Sequence, residues 1–305
     1  MRLAIGVVIA SLTLLASGVA HAAAERCGGL ASTIVGTSAG ERLVGTPGRD
    51  VIWAGRGRDV IAAGGGDDVI CAGAGHDRVR AAQGDDRVLP GSGRDLVFGG
   101  GGADRIRDFD GGDTFFGNNG DDVIAGGADG DTADGGPGAD FIDAGADHDH
   151  LRDGPGDDVL RGGSDGDLLM DDLGDDVLDG QDGPDHLWLG PGTDQLFGGT
   201  GKDRVFAPLG SPSAVVIDLT AGEAQGSSVG LDAIAQFEEA SGTSRGDTLI
   251  GDSADNFLSG SAGADHIEGR DGNDFLFGGR GNDVLDGGRG TDICFAGETL
   301  MNCED

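Results

Sequence analysis

The sequence predicts an all-β chain wound as a parallel solenoid, built from two blocks of nine-residue repeats with a short non-repeat insertion between them. Three observations carry this expectation. Residues 45–206 divide into eighteen rows of nine with no slip of register. Position six is aspartate and position eight is apolar in all eighteen rows. Position four is glycine in fifteen of them. Composition alone, with 64 glycines in 305 residues and a formal net charge of −35, reads equally well as a disordered acidic linker. A coil has no physical reason to hold a fixed register over so long a stretch. Fixed-period self-similarity points instead to stacked units, none of which buries its apolar face alone.

The elements follow in order. Residues 1–24 read as a signal segment: Arg2 precedes an apolar run from Leu3 to Val19, and the small residues of Ala20-His21-Ala22 and Ala22-Ala23-Ala24 offer cleavage sites. No second apolar run of that kind follows, so a secreted product without membrane insertion is expected. Residues 25–44 form an N-terminal cap that contains one further row, "GTSAGERLV", with Glu41 in the acid column. Residues 45–206 are the main block. Residues 207–241 break the register as a spacer, where a strand at Val215 to Leu219, a polar turn and an apolar stretch from Ile234 to Phe237 suggest a wider coil or a small hairpin. Residues 242–295 add six rows, and 296–305 form a C-terminal cap. The four cysteines sit in pairs near the ends, which in an export context reads as two disulfide clasps, Cys27 with Cys71 and Cys294 with Cys303. No CxxC or Cys/His spacing suggests zinc.

Within a row, positions one to six are turn material and seven to nine suit a short strand. Alternation then sends position eight inward and seven and nine outward, one inward residue per row and therefore a thin core. The prolines within the repeats, Pro47, Pro90, Pro137, Pro155, Pro184 and Pro191, all avoid positions seven to nine, as strand pairing requires. Two rows complete one coil, so rows n and n+2 lie side by side about 4.8 Å apart in a parallel sheet, and the first block makes a rod about 40 Å long. The aspartates form two ladders, one along each edge.

Carboxylates stacked at that spacing repel one another unless a cation intervenes. Calcium accepts six to eight oxygen ligands in forgiving geometry, and each gap between turns offers two aspartates and several backbone carbonyls; magnesium demands a tighter octahedron. The candidate ligands are Asp50, Asp59, Asp68, Asp77, Asp86, Asp95, Asp104, Asp113, Asp122, Asp131, Asp140, Asp149, Asp158, Asp167, Asp176, Asp185, Asp194 and Asp203 in the first block, with Asp247, Asp265, Asp274, Asp283 and Asp292 in the second, where Asn256 fills the remaining place. Asp129, Asp147 and Asp165 replace glycine at position four on one edge, either as extra ligands or because aspartate tolerates the left-handed backbone there.

Rows such as "GGPGADFID" (135–143), "GGTGKDRVF" (198–206) and "GGRGNDVLD" (278–286) resemble the RTX nonapeptide GGxGxDxUx, a calcium-binding repeat. That resemblance implies a right-handed parallel β-roll with calcium ions held between successive turns. Rows that open without the glycine pair, "DFDGGDTFF" from Asp108 and "DDLGDDVLD" from Asp171, are expected to hold weaker or missing sites. The other aspartates of 162–180, Asp171, Asp172 and Asp179 among them, are expected in solvated turn openings and outward strand ends. With so little apolar burial against the ordering of a glycine-rich backbone, the calcium-free chain is expected to be largely unfolded.

Several functions are disfavoured. The net charge argues against nucleic acid. HExxH and Walker motifs are absent, and the glycine runs that mimic phosphate loops recur beside aspartate, which repels phosphate. The EF-hand's terminal glutamate has no counterpart, and His148 and His150 lack a second cluster with which to hold a transition metal. No separate catalytic domain or aromatic sugar platform is evident. Arg49, Arg58, Arg78, Arg87 and Arg105 are expected to pair with neighbouring carboxylates or to form a recognition face. The expectation is a non-enzymatic, secreted calcium-binding scaffold with an extracellular protein or glycan as partner. The alternatives are an adhesion or glycan-recognition module using the outward strand face and, third, a calcium-dependent enzyme acting on extracellular polysaccharide.

Overall fold

The computed structural model describes residues 26–208 and 210–304, so the signal segment expected at 1–24 lies outside the described residues. Every regular element among the described residues is a strand. Successive rows alternate between two facing parallel sheets, and each strand pairs with the strand one coil later at an offset of 18 residues, as in Ile61 beside Val79 and Leu160 beside Leu178. One sheet has fourteen strands, from Arg42–Val44 to Ile293–Phe295. The other runs from Ile34–Val35 to Thr299–Met301. The fold is a parallel β-solenoid, the architecture expected of a β-roll.

The position-eight side chains form the central column, with Ile52, Val97, Phe115, Leu160, Leu196 and Leu285 all at 0 % exposure. The core is thicker than one residue per row. Strands such as Val51–Arg56 and Val60–Gly65 continue from position seven into position three of the next row. Alternation therefore also turns position one inward, and Ala54, Ala63, Ala72 and Ala81 are buried there. Pro90 falls in this extension, buried within the strand Arg87–Ser92. The strands Thr132–Asp134, His150–Arg152 and His186–Trp188 stop after three residues. Each is followed, at position three of the next row, by Pro137, Pro155 or Pro191, none of which can donate to the ladder.

In the spacer, Val215–Asp218, Glu223–Gly226 and Gly230–Ala235 form an antiparallel meander. Its last strand stacks in parallel on Gln195–Thr200 and its first on Thr248–Ile250, so it is threaded into one sheet. The other sheet passes straight across, Val205 pairing with Ala240 and Ala240 with Leu258. Both disulfides form as expected. Cys27–Cys71 ties the hairpin Arg26–Cys27/Leu30–Ala31 over Val51, Trp53 and Val69 on the outer face of the first coils. Cys294–Cys303 closes the far end, where Cys294 occupies a position-eight place.

Truncating the column should be far costlier than trimming the outward face. Leu160→Ala is expected to lower stability by about 2–5 kcal/mol, and Val123→Ala, at an outward place, by about 0.5 kcal/mol. Denaturant unfolding at saturating calcium measures both, and equal losses would contradict the assignment of inward and outward positions.

Candidate metal centre

The aspartates at position six lie beneath the turns. All those from Asp50 to Asp203, together with Asp247, Asp265, Asp274, Asp283 and Asp292, are buried. The sixth position continues the inward alternation of positions eight and one, so the fold carries the carboxylates beside its apolar column. From Asp59 to Asp203 and from Asp265 to Asp292 one oxygen is used in the same way: Oδ1 accepts the main-chain N–H of the column residue one coil earlier. Asp50 donates to Asp68 (2.7 Å), Asp86 to Asp104 (2.8 Å), Asp104 to Asp122 (2.7 Å) and Asp274 to Asp292 (2.8 Å).

The other oxygen divides the column into two kinds. Asp50 Oδ2 accepts from Thr46 N at 2.6 Å and Asp247 Oδ2 from Thr243 N at 2.6 Å, each closing its own turn. Glu41 and Asn256 do the same with Thr37 N and Asp252 N. Every other candidate aspartate of the column keeps Oδ2 buried without a hydrogen-bond partner. The backbone at position two separates the kinds. Thr37, Thr46, Thr243 and Asp252 stand outside the left-handed region, whereas most of the open rows have positive φ there, as at Gly64 (117°), Asn118 (75°) and Gln181 (78°). Position-one glycine allows the approach of the free oxygen, since a Cβ at Gly99 or Gly117 would overlap Oδ2 of Asp104 or Asp122.

Burial pushes these carboxyls up, with neighbouring carboxylates adding to the shift. Asp86 rises to about 6, and Asp95, Asp104 and Asp149 to about 7. A buried, negatively charged oxygen without a donor is costly, and a hard cation with oxygen preference answers both its charge and its missing contact. The donor set, carboxylate oxygens beside turn carbonyls, fits calcium.

Several acids escaped the nonapeptide register. Asp232 Oδ1 accepts from Asp194 N (3.1 Å), Glu238 Oε2 from Asp203 N (3.0 Å) and Glu298 Oε2 from Asp283 N (2.6 Å), extending the ladders by one acid into the spacer and into the C-terminal cap. The signal for them was present: Asp232 and Glu238 precede by two residues the inward Ile234 and Ala240, and Glu298 precedes Leu300, which pairs with the inward Leu285. Asp108, Asp153 and Asp171 stand at position one and turn inward. The structure gathers Asp95, Asp108 and Asp113 into one cluster and Asp153, Asp171 and Asp176 into another. The rows opening at Asp108 and Asp171 therefore lack the glycine pair but carry an added inward carboxylate. Asp171 is not solvated either: burial and the neighbouring Asp194, Asp153 and Asp176 push its carboxyl up to about 10.

Asp129, Asp147 and Asp165 lie exposed with φ of 69°, 74° and 74°, outside both clusters. Their positions follow from the left-handed backbone that glycine takes elsewhere at position four. Arg49, Arg58, Arg78, Arg87 and Arg105 form no ion pair among the described residues. The carboxylates they were expected to meet point inward, and Arg78 instead lies 5.5 Å from the centre of the Phe98 ring.

A solenoid whose edges are lined by buried, half-satisfied carboxylates defines a metal-binding repeat protein. The RTX calcium-binding nonapeptide repeat (4 copies) family matches residues 35–70, 72–97, 98–133, 107–142, 134–169, 171–205, 241–276 and 268–298. These segments cover well over half of the chain, and the chain belongs to that family. Among curated proteins no relative matches it.

Without metal, the column makes stability depend on pH in an unusual direction. An ordinary aspartate ionises near 3.8, and in the folded roll Asp95 and Asp104 hold their protons to about 7. The folded state then binds more protons than the unfolded one between these values. Stability of the metal-free roll is greatest below about 3.8 and is lost as pH rises to about 7. Circular dichroism in excess chelator should show β-structure gained on acidification, and β-structure lost on acidification over that interval would contradict it.

Proposed function

We propose that this is a secreted protein whose roll folds on binding calcium between its stacked turns and then serves as an extracellular scaffold for a protein or glycan partner. The observation that carries the reading is the column of buried Oδ2 atoms without partners. Asp59 to Asp203 and Asp265 to Asp292 would hold the ions, while Asp50 and Asp247, whose second oxygens are already satisfied, would contribute least. Bound calcium supplies positive charge and additional coordination to oxygens that the protein leaves unpaired. The chain's own part is to fix one oxygen by the inter-coil hydrogen bond and to bury the other. Family membership and two disulfides support secretion, since disulfides persist in oxidising compartments and the exterior is rich in calcium. A chain extended inside the cell and folded outside follows from the same dependence. Nothing in the carboxylate arrangement requires a chemical reaction, and the roll is a structural calcium-binding fold.

Calcium titration of the oxidised protein, followed together by far-ultraviolet circular dichroism and calorimetry, tests this. A cooperative gain of β-structure with many ions per chain is expected, and native-like structure in excess chelator near neutral pH would overturn it. In the same titration Asp104→Asn should reduce the number of ions bound, while Asp247→Asn should leave that number unchanged. Equal effects would refute the division of the column into two kinds.

An adhesion or glycan-recognition role is favoured by one observation. Positions seven and nine of rows one coil apart bring Trp188 and Phe206 into a stack at 4.6 Å, with His186 edge-on and Arg204 over Phe206 and Phe257. This aromatic platform arises from the offset of 18 residues and was hidden in the linear sequence. Trp188→Ala should abolish glycan binding by the calcium-folded roll on a glycan array while leaving its fold intact; retained binding would remove the platform from consideration.

A further inference from the structure

We propose, on the reading that the repeats bind calcium, that Asp153, Asp171 and Asp176 form a separate hard-cation site held by three side-chain carboxylates. The usual gap between turns brings together position-six acids alone. Along this edge the inward position-one column runs Gly99, Gly117, Gly135 and then Asp153 and Asp171, so two carboxylates enter space that the three preceding coils keep empty. One carboxylate oxygen from each of Asp153, Asp171 and Asp176 lies within 4.8 Å of the other two. Asp153 and Asp176 are 0 % and 1 % exposed, and the Oδ2 of each has no hydrogen-bond partner. Their Oδ1 atoms are held in place, Asp153 accepting from Gly154 N and Asp172 N, and Asp176 from Asp158 N. Asp171 has both oxygens buried and unpartnered. The nearby cation does not neutralise the group, because Arg152 pairs outward with Asp172 at 2.7 Å.

The site also has an approach. A cavity of about 370 Å³ is lined by Asp171, Asp172, Met170, Trp188 and Pro208. The donor set is all oxygen, with no histidine or cysteine in the cluster, so the ligand class is calcium or a hard cation of similar size such as a lanthanide, and not zinc or copper. Ligand charge raises calcium affinity, so this ion should be the last removed from the chain by chelator.

Trp188 makes the site readable. The chain has two tryptophans and no tyrosine, and the other tryptophan, Trp53, lies in the first coils. Terbium(III) added to the calcium-folded full-length protein should therefore emit on excitation of indole. Asp171→Gly restores the residue found at the same place in neighbouring rows. It is expected to remove most of that emission, to weaken the last-released ion at least about tenfold and to reduce the calcium count by one, with β-structure unchanged. Trp188→Phe should remove the same share of the emission as Asp171→Gly and leave the count intact. If Asp171→Gly fails to regain β-structure in calcium, Asp171→Asn, which keeps the side-chain volume, is read in the same way. Emission, last-released ion and ion count all insensitive to the folded variant would overturn the site. A chain that takes up no calcium would instead remove the reading on which the site rests, so the two failures are distinguishable.

Discussion

The hydrogen bond from each column acid's main-chain nitrogen to the carboxylate one coil ahead is the contact on which the rest of the roll depends. It fixes the offset at 18 residues, as in Asp140 to Asp158 and Asp158 to Asp176. With that offset set, the position-eight column, the parallel ladders and the outward aromatic stack all follow. The same contact drives the carboxylate under the turn, where water cannot reach its second oxygen. Cohesion between coils and the need for a counter-charge thus come from one side chain, and a metal-free roll cannot have the first without the second at neutral pH.

In most rows that need goes with the backbone at position two. Where Thr46 or Thr243 stands, its N–H meets the carboxylate of its own turn and no oxygen is left over. In the left-handed rows that N–H is unavailable, even where the residue is Asn118 or Gln181 and not glycine. The rows of Thr46 and Thr243 each begin a block. The stack therefore opens with acids that are complete in themselves and continues with acids that are not.

Much of this could be read from residues in a row. A strict nine-residue register names the inward column and the acid column without any structure, because strand alternation and coil length are both periodic. What escaped was set by space. Asp232 and Glu238 join the ladders across separations of 38 and 35 residues, which no fixed period finds. Asp171 was placed in solvent, and Asp153 passed over, because position one was read as turn. The strand in fact runs past the row boundary, and the alternation that buries Ala54 and Ala72 buries them too. The arginines misled for a related reason: sequence neighbours of a carboxylate are on the opposite face of the strand from it.

The spacer shows how the two kinds of contact, main-chain and carboxylate, can be separated. Hydrogen bonding between strands passes through it without a break in one sheet, from Val205 to Ala240 to Leu258, and the apolar column is continuous beneath. The carboxylate ladders do not pass. They end at Asp232 and Glu238 and begin again at Asp247 and Asn256, both of which satisfy their own turns. In a solenoid each coil is stabilised mainly by its neighbours, so coupling through bound cations extends only as far as consecutive open carboxylates. Residues 207–241 thus divide the charge ladder into two while leaving the sheet whole.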